Sequence, residues 1–163
     1  MIFYHVADHT AAYTSGAFIA GGERWPEAWV APAAAFRNAL SAQGRAQLDQ
    51  PYGPGARHRF DLFLPEGTAQ GLVIFIHGGY WRSLDRGYWS HYAAGALAQG
   101  LAVAMPSYTL CPDIRIAGIT REVGKAIEKA AGEIAGPIRL TGHSAGGHLV
   151  TRMISATSPL PQT

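Results

Sequence analysis

Two short runs of strand formers, Leu72-Val73-Ile74-Phe75-Ile76 and Leu101-Ala102-Val103-Ala104-Met105, contain no polar residue, and they constrain this chain more than any other feature. Side chains of a strand alternate between its two faces, so a strand that is apolar throughout must be covered on both. Helical patterns fill the gaps between these runs. Asp85 is a candidate N-cap and Gly100 a stop for a helix of about three to four turns. Ile116, Ile119, Val123, Ile127, Ala130 and Ile134 recur at helical spacing until Gly136-Pro137, and a third strand begins at Ile138-Arg139-Leu140. A last helix carries Leu149, Val150, Met153 and Ile154. Strands that alternate with amphipathic helices predict an α/β class: a doubly wound, mostly parallel sheet with helices on both faces.

The rest of the chain is expected to extend that unit as a single domain over residues 1–163. Arg59 to Leu64 alternates as a half-buried strand, between turn-rich segments at 51–55 and 65–71. Residues 1–50 are Ala-rich, with Trp25 and Trp29 around Pro26 and a helix expected from Ala33 to Leu48, and read as a lead-in packed on the core of residues 51–163.

In sheets of this kind the ligand crevice lies beyond the carboxyl ends of the strands. Gly142-His143-Ser144-Ala145-Gly146 stands at one such end, between strand and helix formers, in the form of a nucleophile elbow. Glycines two residues to either side of the serine allow a turn tight enough to push its hydroxyl toward substrate. With 20 glycines in 163 residues, such a pattern carries weight only in context. The context is His77-Gly78-Gly79-Tyr80-Trp81, directly after the Leu72–Ile76 strand. A loop in that position supplies backbone N–H groups to an oxyanion, and the residue after the nucleophile supplies another. The candidates are Gly78, Gly79 and Tyr80 from the loop and Ala145 from the elbow, with Ser144 as the catalytic nucleophile. Trp81 and His77 are candidate substrate contacts; Trp81, Tyr88 and Trp89 could stack on an aromatic group or simply fill the core.

Composition removes other classes. A net charge of +2 without any long Lys/Arg run argues against nucleic acid, and no apolar run is long enough to span a membrane. Cys111 is the only cysteine, which excludes an intrachain disulfide and favours a reducing compartment; it reads as a loop thiol. The first ten residues lack the pattern of a secretory signal, so a soluble, cytoplasmic protein is expected. His5 and His9 lack the glutamate of a zinc helix, and neither a Walker nor a dinucleotide motif occurs, so neither metal nor cofactor is expected. The partner is expected to be a small-molecule acyl substrate, and a homo-oligomer is left open.

His77-Gly78-Gly79-Tyr80-Trp81, the stretch from Gly142 to Leu149 and Ser107-Tyr108 together resemble the α/β-hydrolases, and within them the arylformamidase (kynurenine formamidase) and related esterase group. The resemblance covers roughly Tyr52 to Ser155. It implies an α/β-hydrolase fold without its C-terminal strands, and metal-free hydrolysis of a formamide such as N-formylkynurenine or of a small carboxylic ester.

A serine nucleophile needs a base, and in this fold the order is Ser, then Asp or Glu, then His. No Asp or Glu follows Ser144, and the only later histidine is His148. One helical turn on from the serine, His148 is poorly placed to join Ser144 to a carboxylate. His143 reads as a backbone or packing partner, and Asp113 precedes the nucleophile. The chain is therefore expected to be the N-terminal portion of a longer hydrolase, the alternative being a non-catalytic binding module on the same fold. Rapid cleavage of N-formylkynurenine would mark a formamidase, and the opposite ranking against p-nitrophenyl acetate a generic carboxylesterase.

Overall fold

The computed structural model describes residues 6–156 and 158–160. Its helices are α1 (His9–Tyr13), α2 (Trp25–Ala42), α3 (Ala94–Ala98), α4 (Ile116–Ala131) and α5 (Ala145–Met153). Its strands are β1 (Ala46–Pro51), β2 (Arg59–Phe63), β3 (Leu72–Ile76), β4 (Ala102–Pro106) and β5 (Ile138–Gly142). They form one sheet in the order β1-β2-β4-β3-β5. β3 pairs in parallel with β4 and β5, whereas β2 runs antiparallel to both β1 and β4. Four strands thus point the same way, and β2 alone is reversed.

The uninterrupted apolar runs are used as their composition requires. Leu72, Ile74 and Ile76 of β3, with Ala102 and Ala104 of β4, face α4 and α5 and pack with Ile119, Val123, Ile127, Leu149 and Met153. The alternate residues Phe75, Val103 and Met105 face the other way, into a cluster with Leu40 of α2, Trp89 and Leu97. Each fully buried side chain of this size contributes about 1.5–3 kcal/mol, so the two layers together supply the main drive to fold.

Three expected boundaries need correction. The helix expected over 33–48 begins at Trp25 and ends at Ala42, with Gly44 at φ 68° turning the chain and residues 46–51 forming β1 instead. Trp29, Ala33, Phe36 and Leu40 form its inward stripe, and the Phe36 ring packs edge-on against Phe63 at 5.6 Å. The helix expected between Asp85 and Gly100 is broken into two 3₁₀ turns, Arg86–Tyr88 and Ser90–Ala93, before the short α3. Asp85 does cap the first of them, accepting the Gly87 N–H at 2.7 Å. The break swings Trp89, wholly buried, onto Trp29 at 4.6 Å and Phe75 at 5.8 Å. The helix expected to run to Ile134 stops at Ala131, ahead of Gly132.

A buried ion cluster locks α2 to the sheet. Asp61 of β2 is wholly buried; its carboxylate pairs with Arg86 Nε at 3.0 Å and Arg37 of α2 at 3.3 Å, and accepts the Asp49 N–H at 3.0 Å. A buried carboxylate is tolerable only with such partners. β5 lies at the sheet edge with Ile138, Arg139 and Thr141 exposed. Among the described residues, no helix is long and apolar enough to cross a membrane.

Candidate active site

Ser144 stands at the junction of β5 and α5 with φ 53° and ψ −118°, a region that side-chain-bearing residues rarely occupy. It is solvent-exposed. The two glycines of the motif explain how so sharp a turn is held. A Cβ on Gly142 would lie 2.5 Å from the Gly146 carbonyl carbon, and one on Gly146 would lie 2.0 Å from the Ile76 carbonyl oxygen. Strand end, elbow and helix start are therefore in backbone-to-backbone contact.

The loop after β3 reaches the same point. A Cβ on Gly78 would sit 2.7 Å from the His143 oxygen and 3.1 Å from Ser144 Cβ, so only a bare backbone can pass Ser144 this closely. The loop then folds back on itself, the Gly79 carbonyl accepting the N–H groups of Arg82 and Ser83, both at 2.9 Å. Tyr80 and Trp81 follow at φ 55° and 56°, left-handed conformations costly for non-glycine residues. Among the described residues, the N–H groups of Gly79, Tyr80 and Ala145 donate to no protein acceptor, and Ser144 Oγ likewise makes no hydrogen bond. Ala145 is the first residue of α5, where an unpaired N–H is inherent to the helix end.

Beside Ser144 lies a cavity of about 550 Å³, bordered by His143, Gly79, Tyr80 and Trp89. Its remaining wall is the surprise. Trp25, Pro26 and Trp29 of α2, with Ser15, Gly16, Ile19 and Gly22 before it, line the opposite side. The sequence reading assigned this segment to packing alone; the signal that could have revealed it was two tryptophans four residues apart, on one face of a helix.

The other candidates are placed as follows. Trp81 does not line the cavity: it packs on the α4–α5 side of the sheet and meets the His148 ring edge-on at 5.3 Å. His148 borders a separate groove with Arg121 and Arg152, away from the Ser144 cavity. The His143 ring rests 4.9 Å from Trp89 and 6.4 Å from Trp29. Ser107 and Tyr108 are buried, the first accepting the Arg86 N–H at 3.1 Å and the second donating its hydroxyl to the His77 carbonyl at 2.9 Å. Asp113 is exposed, Cys111 is half-buried against the core, and Tyr88 borders a different groove with Arg37. His9 is exposed, His5 lies outside the described residues, and no metal-ligating cluster occurs among the described ones.

His77 is buried, stacked flat on Tyr108 at 4.3 Å, with Nδ1–H donating to the Gly78 carbonyl at 2.7 Å. That bond fixes the tautomer and leaves Nε2 buried without a partner. Burial therefore pushes the imidazole pKa down to about 4. The folded state disfavours the proton, so this contribution to stability is complete above the unfolded value near 6.5 and is lost as pH falls toward 4. Stability is expected to drop by about 2 kcal/mol between about pH 8 and about pH 5 from this group alone. Denaturant titrations of wild type and His77→Gln at both pH values check it, the variant having the shallower pH dependence.

Several known proteins are similar to this chain in sequence or in structure. The BD-FAE family model matches residues 60–159. Kynurenine formamidase of Salmo salar is 34% identical over 122 residues, covering 70% of this chain and 41% of that protein. That of Danio rerio is 32% identical over 114 residues, covering 66% and 38%. The chain thus spans about two fifths of the length of the curated relatives it matches. A crystal structure from Silicibacter sp. TM1040, provisionally named a thioesterase, superposes with a TM-score of 0.88 at 56% identity, over 93% of this chain and 57% of that one. Esterase B of Lactobacillus rhamnosis superposes with a TM-score of 0.59 at 27% identity, over 78% and 47%. With its family match spanning well over half its length and both glycine motifs meeting at one crevice, the chain belongs to the BD-FAE family, as an arylformamidase-like α/β-hydrolase.

Proposed function

We propose that Ser144 is the nucleophile of a serine hydrolase that cleaves a formamide or a small carboxylic ester through an acyl-enzyme. The observation that carries this reading is the exposed, strained Ser144 between three unengaged backbone N–H groups and an open cavity. Ser144 Oγ bonds to the acyl carbon as its proton passes to a base. The carbonyl oxygen becomes an anion, held by N–H groups of Gly79 or Tyr80 and of Ala145 at the positive end of α5. Collapse breaks the C–N or C–O bond, the leaving amine or alcohol takes the proton, and water then hydrolyses the acyl-serine. The general base is a further requirement, which the described residues around Ser144 do not meet.

A formamide is favoured by the kynurenine formamidase relatives, and an ester by the esterase-like structures. Covalent labelling tests what both share. A p-nitrophenyl phosphonate is expected to add one phosphonyl group to the tryptic peptide 140–152, at Ser144, as read by tandem mass spectrometry. Location of the adduct on another residue overturns the reading, as does its absence from a protein that also supplies the general base. The ranking of N-formylkynurenine against p-nitrophenyl acetate then separates formamidase from carboxylesterase.

A further inference from the structure

A loop in costly backbone conformations keeps them only where its surroundings over-determine it. In the loop after β3, Gly79, Tyr80, Trp81 and Leu84 have φ of 110°, 55°, 56° and 66°. Three ties to this loop come from one place, the chain leaving β4. The Tyr108 hydroxyl donates to the His77 carbonyl at 2.9 Å, and the Cys111 N–H donates to the Trp81 carbonyl at 2.8 Å. Arg57 spans both segments, with Nε donating to the Tyr108 carbonyl at 2.7 Å and Nη2 to the Leu84 carbonyl at 2.6 Å. Start, middle and end of the loop are thereby fastened to the segment from Tyr108 to Cys111.

The consequence for the site follows from the peptide between Gly78 and Gly79. It is planar and trans, so its carbonyl and its N–H point in opposite directions. His77 Nδ1–H holds the Gly78 carbonyl at 2.7 Å, toward a buried imidazole that lies flat on Tyr108 with an interplanar angle of 3°. The Gly79 N–H is therefore turned away from that ring, and among the described residues it meets no protein acceptor. Because Nε2 is unpartnered, the imidazole is set by the Gly78 bond and by the stack on Tyr108. Tyr108 thus acts twice, its ring fixing the imidazole plane and its hydroxyl fixing the preceding peptide.

We infer that Tyr108 is a positioning residue for the hydrolysis: acting through His77 and braced by Arg57, it aims the Gly79 N–H at the oxygen on which negative charge develops. Wholly buried and apart from the cavity lining, it does not touch substrate. This rests on the proposal that Ser144 is the nucleophile and adds the part that sets its oxyanion geometry.

Tyr108→Phe keeps the stacked ring and removes only the hydroxyl. In a protein that also supplies the general base, it is expected to lower kcat for p-nitrophenyl acetate about tenfold with KM within about twofold, the pattern of an interaction made only in the transition state. The thiono ester, with sulfur in place of the carbonyl oxygen, isolates the oxyanion site, because sulfur is larger and a poorer hydrogen-bond acceptor. The preference for the oxygen ester is expected to shrink about fivefold in the variant. An unchanged kcat, a rise in KM alone, or an equal loss on both esters overturns the inference. Arg57→Gln, at a half-buried position, is held to the same criteria with a loss of about threefold, and it decides the matter if Tyr108→Phe does not fold. In the chain itself, NMR with selective ¹⁵N-glycine labelling reads the amide without turnover. The Gly79 cross-peak is expected to move in Tyr108→Phe while that of exposed Gly95 stays in place. A Gly79 peak that does not move, or equal movement of both, also overturns the inference. A moved Gly79 peak in a protein that supplies the base but whose Ser144 resists phosphonate labelling would remove the nucleophile assignment while supporting the placement of this amide by Tyr108.

Discussion

In a protein that also supplies the general base, replacing Ser144 with alanine is expected to lower turnover of a formamide or ester by about 10⁴-fold or more, because loss of the attacking atom removes the covalent route altogether. Stability should change little, since alanine keeps the Cβ and therefore the same backbone strain at φ 53° and ψ −118°. Ser144→Gly separates the two effects. Glycine occupies positive φ without steric cost, so this variant is expected to be just as inactive yet more stable by about 1 kcal/mol. In a domain of this size that raises the melting temperature by about 2–4 °C. Parallel measurements of turnover and thermal unfolding check both. A glycine variant less stable than wild type would show that the elbow stores no strain, and an active alanine variant would end the serine mechanism.

The second large effect is expected at Gly146, whose role is purely steric. A methyl group there would be driven to 2.0 Å from the Ile76 carbonyl oxygen and 2.7 Å from that of His77. Both obstacles are backbone of β3 and its exit, pinned by parallel pairing to β4 and β5. Neither can swing aside as a side chain would, so α5 must lift off the sheet. Gly146→Ala is expected to cost about 3 kcal/mol or more, a melting temperature lower by roughly 6–12 °C, and to slow phosphonate labelling of Ser144. Gly147→Ala is the control. A Cβ at Gly147 meets only the Gly142 oxygen at 3.6 Å, an ordinary contact, and alanine favours the helix. It should be neutral or slightly stabilising, and an equal loss in both variants would mean that helix disruption, not the clash with Ile76, is responsible.

The elements legible in the sequence are those whose patterns follow from local geometry. The β3 run from Leu72 to Ile76 matches the strand residue for residue, and α4 follows from the recurrence of Ile116, Ile119, Val123 and Ile127. Both ends of the candidate site were visible too, because Gly142, Gly146 and Gly78 are demanded by close backbone approaches that no other residue tolerates. β1 was missed because it is an edge strand with a bulge, where Asp49 adopts φ 58°, and it offers little hydrophobic alternation. The segment from Arg86 to Ala98 was read as one helix because its break is imposed by Trp89, whose place in the core is settled by Trp29 and Phe75 from distant parts of the chain.

The chain's own order of residues determined the layered α/β architecture and the serine turn, since strand alternation, helical period and glycine sterics act over a few neighbouring residues. Only the tertiary structure decided which side chains surround that turn. It carried Trp81 to the α4–α5 side and brought Trp25 and Trp29 more than a hundred residues back along the chain to face Ser144. No local pattern encodes that meeting: it results from α2 docking through its own apolar stripe and the Arg37–Asp61 pair, and the tryptophans arrive at the cavity with the helix that bears them.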